Sequence, residues 1–289
     1  IEVWDRAGML EHRVAGLPLQ DRVPIGGVPT GPRSVQWVAT QPATLLWTEA
    51  LDEGDPKKQV PHRDVLRLLP APFREQPVEL ARTEHRFAGL TWVGEEGEAL
   101  LSDFDRDRRW SRTSLIDVRR PGKAGRLIWN RSSQDRYGDP GTPLLRTLPN
   151  GRRVAYRVGD EIFLNGPGAS PEGDRPFLDR FNLATGKSRR LFRSEPGSYE
   201  TPITLEAPDG SRFITRRESP AEPPNYLVRT TGGEQQALTS FPDPAPQLRA
   251  IKKQLVTYRR ADGVPLSFTL YLPPNHRPGE RLPTVVWAY

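Results

Sequence analysis

Apolar residues in this chain come in short runs, each placed just past a turn-forming residue. Pro42 stands three positions before Leu45-Leu46-Trp47, and Gly97 before Leu100-Leu101. Gly151 stands before Val154-Ala155-Tyr156, and Gly210 before Phe213-Ile214. Successive turns are 55, 54 and 59 residues apart. Apolar positions also lie ahead of each turn: Trp37-Val38, Trp92-Val93, Leu144-Leu145 and Ile203. Each copy reads as strand, tight turn, strand.

A second kind of hairpin falls between the first. Ser114–Val118 turns at Pro121-Gly122 and returns as Gly125–Trp129. Phe177–Leu183 turns at Thr185-Gly186 and returns as Arg189–Phe192. Tyr226–Arg229 turns at Gly232-Gly233 and returns as Gln236–Thr239. Asp64–Leu69 with Val78–Leu80 fits more loosely, and the opening segment Ile1–Val14 turns at Ala7-Gly8. Two hairpins per period make a four-stranded unit of roughly 55 residues, and four-stranded repeats of about 40–50 residues mark propeller blades. The predicted fold class is therefore all-β: a β-propeller fragment of four-stranded antiparallel blades over 1–248. It comprises a half-blade at 1–20 and four blades over about 30–245, with further blades expected upstream. A β-sandwich with coincidental turn spacing is the competing architecture.

After residue 248 the pattern changes. Gln254–Arg260 turns at Asp262-Gly263 and returns as Val264–Leu272. Asp-Gly between alternating apolar runs is a strong hairpin signal. Past Pro273-Pro274, Leu282–Tyr289 reads as a buried strand cut off in mid-course. Residues 249–289 are thus expected to be a linker hairpin and the first strand of a second, truncated domain.

Composition supports the strand reading and excludes several chemistries. The 289 residues include 31 Pro and 25 Gly, and helix interiors tolerate neither. The absence of Cys rules out disulfides, thiolate metal sites and a Cys nucleophile. The four histidines, His12, His62, His85 and His276, have no metal-ligand spacing, so no metal and no cofactor is expected. The net charge is +6, and the basic residues are interspersed with acidic ones, as in Asp103–Arg109. That reads as a mixed, solvated surface rather than a nucleic-acid face. Glu95/Glu96 and Asp52/Glu53/Asp55 sit in turn-like settings and read as solvated too. No run approaches the ~18 apolar residues of a membrane span. The compartment stays open between periplasmic or secreted and cytoplasmic, and oligomeric state is unassigned.

No nucleophile elbow, phosphate loop, dinucleotide fingerprint or zinc motif is found. The nearest approach to an elbow, Gly168-Ala169-Ser170-Pro171-Glu172, lacks its closing glycine. The segment Phe163–Arg180 holds a long Gly/Pro-rich loop between aromatic strand anchors. Such a loop suits either a pore or cleft lining, or a rigid connection between strands.

That segment resembles the corresponding loop of the glutamyl endopeptidase branch of the prolyl oligopeptidase family of serine peptidases. So do Gly31–Trp37, Pro42–Ala50, Gly54-Asp55, Arg63-Asp64, and the final stretch from Tyr258 through Leu270–Pro274 to Leu282–Tyr289. The resemblance implies a propeller followed by a truncated start of an α/β-hydrolase domain, with the catalytic Ser, Asp and His beyond Tyr289. The fragment itself would be inactive, gating or selecting peptide substrates for the absent domain. The strand 283–289 matches the family strand that ends in an oxyanion-hole tyrosine, which points to Tyr289. Arg175 and Arg180 are candidate contacts for acidic substrates, on charge alone. A stand-alone propeller acting as a protein-interaction scaffold is the rival reading.

Overall fold

The computed structural model describes residues 1–288. Among them there is no α-helix, only strands and one 3-10 turn at Pro246–Leu248. β1 (Glu2–Trp4) and β2 (Leu10–Arg13) form the opening hairpin. β3 (Arg33–Trp37), β4 (Thr44–Ala50), β5 (Asp64–Pro70) and β6 (Val78–Thr83) form the first antiparallel meander. β7 (Arg86–Val93), β8 (Glu98–Asp105), β9 (Trp110–Asp117) and β10 (Arg126–Ser132) form the second. A third follows, described below, and β18 (Tyr199–Leu205), β19 (Arg212–Glu218), β20 (Asn225–Thr230) and β21 (Gln235–Ala237) form the fourth.

What makes these sheets blades of a propeller is the burial of their middle strands on both faces. Side chains alternate across a strand, so a strand between two neighbouring sheets sends odd residues one way and even residues the other. In β4, Leu46 joins β5 residues Leu66 and Leu68 in a core shared with Trp92, Ala99 and Leu101 of blade 2. Its neighbours Leu45 and Trp47 pack the opposite way, with Val3 and Val14 of the opening segment. In β8, Leu100 turns from blade 1 and packs with Ile162 and Leu164 of blade 3. Phe163, between those two, packs with Leu205 and Phe213 of blade 4. A sandwich has one shared core; here successive sheets share a new core at each step. Fully burying one such large side chain contributes about 1.5–3 kcal/mol.

The third blade departs from the predicted repeat. Its inner strand is broken in two: β11 (Thr142–Pro143) and β14 (Arg157–Val158) both pair with one side of β15 (Glu161–Gly166). β16 (Phe177–Asn182) and β17 (Ser188–Arg193) complete the sheet. Between the two halves, β12 (Leu145–Thr147) and β13 (Arg153–Ala155) form an inserted hairpin, with Gly151 in its turn. β13 pairs with β7, and Leu148 and Val154 enter the core between blades 1 and 2. Pro42, Gly97 and Gly210 do occupy equivalent turns, between the first and second strands of their blades. Gly151 does not; that place in blade 3 belongs to Gly159-Asp160, between β14 and β15. The near-regular 54-residue spacing reflects the insertion, because a hairpin tip and a blade turn call for the same glycine chemistry.

Downstream, β22 (Lys252–Arg259) and β23 (Pro265–Leu272) pair in register along their whole length and with no other strand. The hairpin expected around Asp262-Gly263 is thus present. Of the strand expected over 282–289, the described residues 282–288 form no strand pairing, with Val285, Val286 and Trp287 at 91, 86 and 82% exposure, and Tyr289 lies outside the described residues. An apolar alternation becomes a strand only where a neighbour accepts its backbone hydrogen bonds, and none lies beside it here.

Candidate functional site

Each blade places the loop between its second and third strands, and the connection to the next blade, at one end of the sheets. Loops 51–63, 106–109, 167–176 and 219–224 therefore share this end with the connections 84–85, 133–141 and 194–198. They include the long segments 51–63, 133–141 and 167–176, and they form the candidate face.

The 167–176 loop is rigid because its backbone closes on itself. Arg175 N donates to Gly168 O at 3.0 Å, and Ser170 and Gly173 exchange backbone bonds, each 3.0 Å. Gly168 has φ +63°, and a Cβ there would sit 2.1 Å from Arg175 O, so only glycine fits. Arg136 Nη2 reaches both carboxylate oxygens of Asp174 at 3.0 Å, tying the loop to the connection before blade 3.

The two candidate arginines differ. Arg180 lies on β16, paired with Glu161 at 2.5 Å and standing over the Phe163 ring at 5.8 Å. It is committed within its blade and does not serve the loop face as a free cation. Arg175 donates from Nε to Ser194 O at 2.9 Å, and its terminal nitrogens meet no partner among the described residues. One bond thus orients a guanidinium whose outer edge stays open for a bidentate anion. Tyr289 lies outside the described residues.

A cleft of about 910 Å³ opens on the same face between blades 1 and 2, lined by Lys57, Val60, Arg63, His85, Phe104 and Arg106 among others. Its floor rests on an ion cluster that the sequence pattern hides. Asp52 and Asp64 are fully buried. Arg86 binds both, with Nη2 2.5 Å from Asp52 Oδ2 and Nη1 2.7 Å from Asp64 Oδ1. Arg63 reaches Asp52 at 2.7 Å and Arg33 reaches Asp64 at 2.6 Å. Gly54 N donates to Asp52 Oδ1 at 3.0 Å, and Phe87 N to Asp64 Oδ2 at 2.6 Å. Burial alone would raise the Asp52 pKa, but the hydrogen bonds and charges of Arg86 and Arg63 outweigh it and hold the carboxyl below its ordinary value. The expectation that Asp52 is solvated is therefore corrected; Glu53, Glu95 and Glu96 are exposed as expected. The adjacent Arg63-Asp64 was the one local signal of the cluster. Its other members are 34 residues apart from Asp52 to Arg86, and only blade packing joins them.

No protein-family model matches the chain. The whole chain is 36% identical to a probable chloroplastic glutamyl endopeptidase of Oryza sativa subsp. japonica, covering 33% of that protein. It is 34% identical to a probable chloroplastic glutamyl endopeptidase of Arabidopsis thaliana, covering 32% of it. The chain thus spans about a third of the length of these relatives. Among solved structures, oligopeptidase B from Leishmania major aligns with 86% of this chain and 40% of its own, at TM-score 0.49 and 10% identity. Dipeptidyl peptidase 4 of Porphyromonas gingivalis aligns with 86% and 43%, at TM-score 0.49 and 14% identity.

Proposed function

We propose that this chain, which along its whole length belongs with the glutamyl endopeptidases of the prolyl oligopeptidase family, is the non-catalytic propeller part of a serine peptidase. In this reading it gates peptide substrates for a hydrolase domain, and residues 249–289 are the passage from one domain to the other. The observation that carries the reading is the loop face: a rigid 167–176 loop presents an oriented, unpaired Arg175 beside the blade 3–blade 4 connection.

The physical role follows from rigidity. Blades locked by shared cores form a wall that does not open for a folded protein, whereas an extended peptide passes. Arg175 adds a charge preference, because a guanidinium fork matches a carboxylate in two hydrogen bonds. In the full-length peptidase, Arg175→Ala is expected to raise KM for acidic peptides about tenfold, with kcat little changed, as for the loss of uniform binding. An equal KM for acidic and neutral peptides in both proteins would remove Arg175 from recognition.

Tyr289 is proposed as an oxyanion donor in the same full-length enzyme. Tyr289→Phe is expected to lower kcat about 10²–10³-fold while KM stays nearly constant. Normal turnover in the Phe variant, with loss only in Tyr289→Ala, would mark the ring as packing alone. The rival reading, a binding scaffold, predicts that neither substitution changes any hydrolytic constant.

A further inference from the structure

A second cleft, of about 330 Å³, runs between the outer strand β6 of blade 1 and the middle strands β8 and β9 of blade 2, and meets the loop-face cleft at Glu84. Its polar wall includes Thr83 of β6 and Asp103 of β8, and its apolar wall includes Ala81, Leu101 and Ile116. Asp103 is 8% exposed and Thr83 2%. Asp103 Oδ1 and Thr83 Oγ1 are fully enclosed, and neither meets a hydrogen-bond partner among the described residues. Buried polar atoms in folded proteins are nearly always satisfied. Asp103 accepts no hydrogen bond on either oxygen among the described residues, and only Oδ2, the oxygen that is not enclosed, can take a donor from the cleft.

The neighbouring charges narrow what that donor is. Arg82 is neutralised by Glu79 through two bonds, and Arg112 is paired with Glu84. Both pairs line the cleft without reaching Asp103. No cluster of three metal-ligating side chains exists among the described residues, which disfavours a metal ion. We propose that this cleft binds an alkylammonium group: its ammonium head on Asp103 Oδ2, and its methylene stem along Ala81, Leu101 and Ile116. A charged donor on a carboxylate is the strongest single contact the site can make, and the apolar wall rewards a short aliphatic chain.

The groups facing Asp103 set its response to pH. Burial pushes its pKa up to about 6, Asp64 adds to the rise, and His85 opposes it. Arg112 stands opposite Asp103 on β9 but is engaged with Glu84. A bound cation favours the ionised carboxyl, so binding strengthens as pH rises through 6 and weakens below it.

Isothermal titration of this chain with n-butylammonium at pH 8 and pH 5 tests the site, with n-butanol as the neutral control. The expected result is binding at pH 8 that weakens at pH 5, with little binding of n-butanol. Asp103→Asn should weaken it at least about tenfold, while Lys187→Ala, on the turn between β16 and β17 and outside the cleft, leaves it intact. Should Asp103→Asn fold poorly, carboxyl NMR titration of the unsubstituted chain reads the same coupling, as n-butylammonium lowers the Asp103 midpoint. Equal binding of n-butanol would make the cleft a merely apolar cavity and overturn the proposal. So would no binding of n-butylammonium, or an Asp103 midpoint that it does not move. None of these results bears on the peptidase reading, which rests on the 167–176 loop and Arg175.

Discussion

Asp52 and Asp64 show how much one residue can matter in a fold made of repeated parts. Each carboxylate is dry and survives as a charge only because arginines from two blades converge on it. Removing one member leaves a buried charge uncompensated, which typically costs about 3–5 kcal/mol. Asp52→Asn is expected to lower the urea midpoint by a corresponding amount, with an unchanged m-value. The pH dependence has a definite sign. The folded pKa of Asp52 lies below its unfolded value, so its contribution is complete above the unfolded value, 3.8, and is lost as pH falls through the folded one. The stability difference between the parent and Asp52→Asn should therefore shrink on acidification. A difference independent of pH would show that packing, not charge, is what Asp52 supplies.

At the scale of elements, the loops are as specified as the strands. The 167–176 loop depends on Gly168, where both the positive φ and the approach of Arg175 O exclude a side chain. Gly168→Ala is expected to cost about 1–3 kcal/mol of local stability and to speed amide exchange across Ser170–Arg175. Blade cores such as Leu46 and Phe163 should exchange as before. Uniform deprotection across all blades would mean that the loop is a fold determinant rather than a local device. Gly210 makes the complementary case: its turn lies against Phe163 of the preceding blade, where a Cβ would come within 2.3 Å of the ring. Turn and hairpin glycines could be read from sequence because their chemistry is local. The inserted β12–β13 hairpin could not, since it uses the same glycine and the same apolar spacing as an ordinary blade hairpin. Only its pairing to β7 distinguishes it.

For the molecule as a whole, the shared cores divide the chain into a cooperative body and an appended hairpin. The blades hold one another through successive clusters from Val3 to Phe213. Among the described residues β22 and β23 have no strand partner but each other, and Leu255, Tyr258, Phe268 and Tyr271 are exposed on them. Local opening of such a unit requires far less free energy than opening a blade. Limited proteolysis is therefore expected to cut first within 240–289 and leave a resistant fragment ending near the close of blade 4. A first cut inside blades 1–3 would show that the blades do not behave as one body.

The alternation of apolar residues and the spacing of turn residues by themselves determined the all-β class, the four-stranded unit and most hairpin positions, because strand periodicity and turn conformation are properties of neighbouring residues. Tertiary structure decided what depends on distant ones. It assigned Gly151 to an insertion, spent Arg180 on Glu161 and Phe163, and left Arg175 open. It also gathered Arg33, Asp52, Arg63, Asp64 and Arg86 into one buried cluster, and left Val285, Val286 and Trp287 without a neighbouring strand. In each case the deciding quantity is whether a side chain or backbone group finds its partner across a blade interface. Such partners lie tens of residues away along the chain, where local pattern carries no information about them.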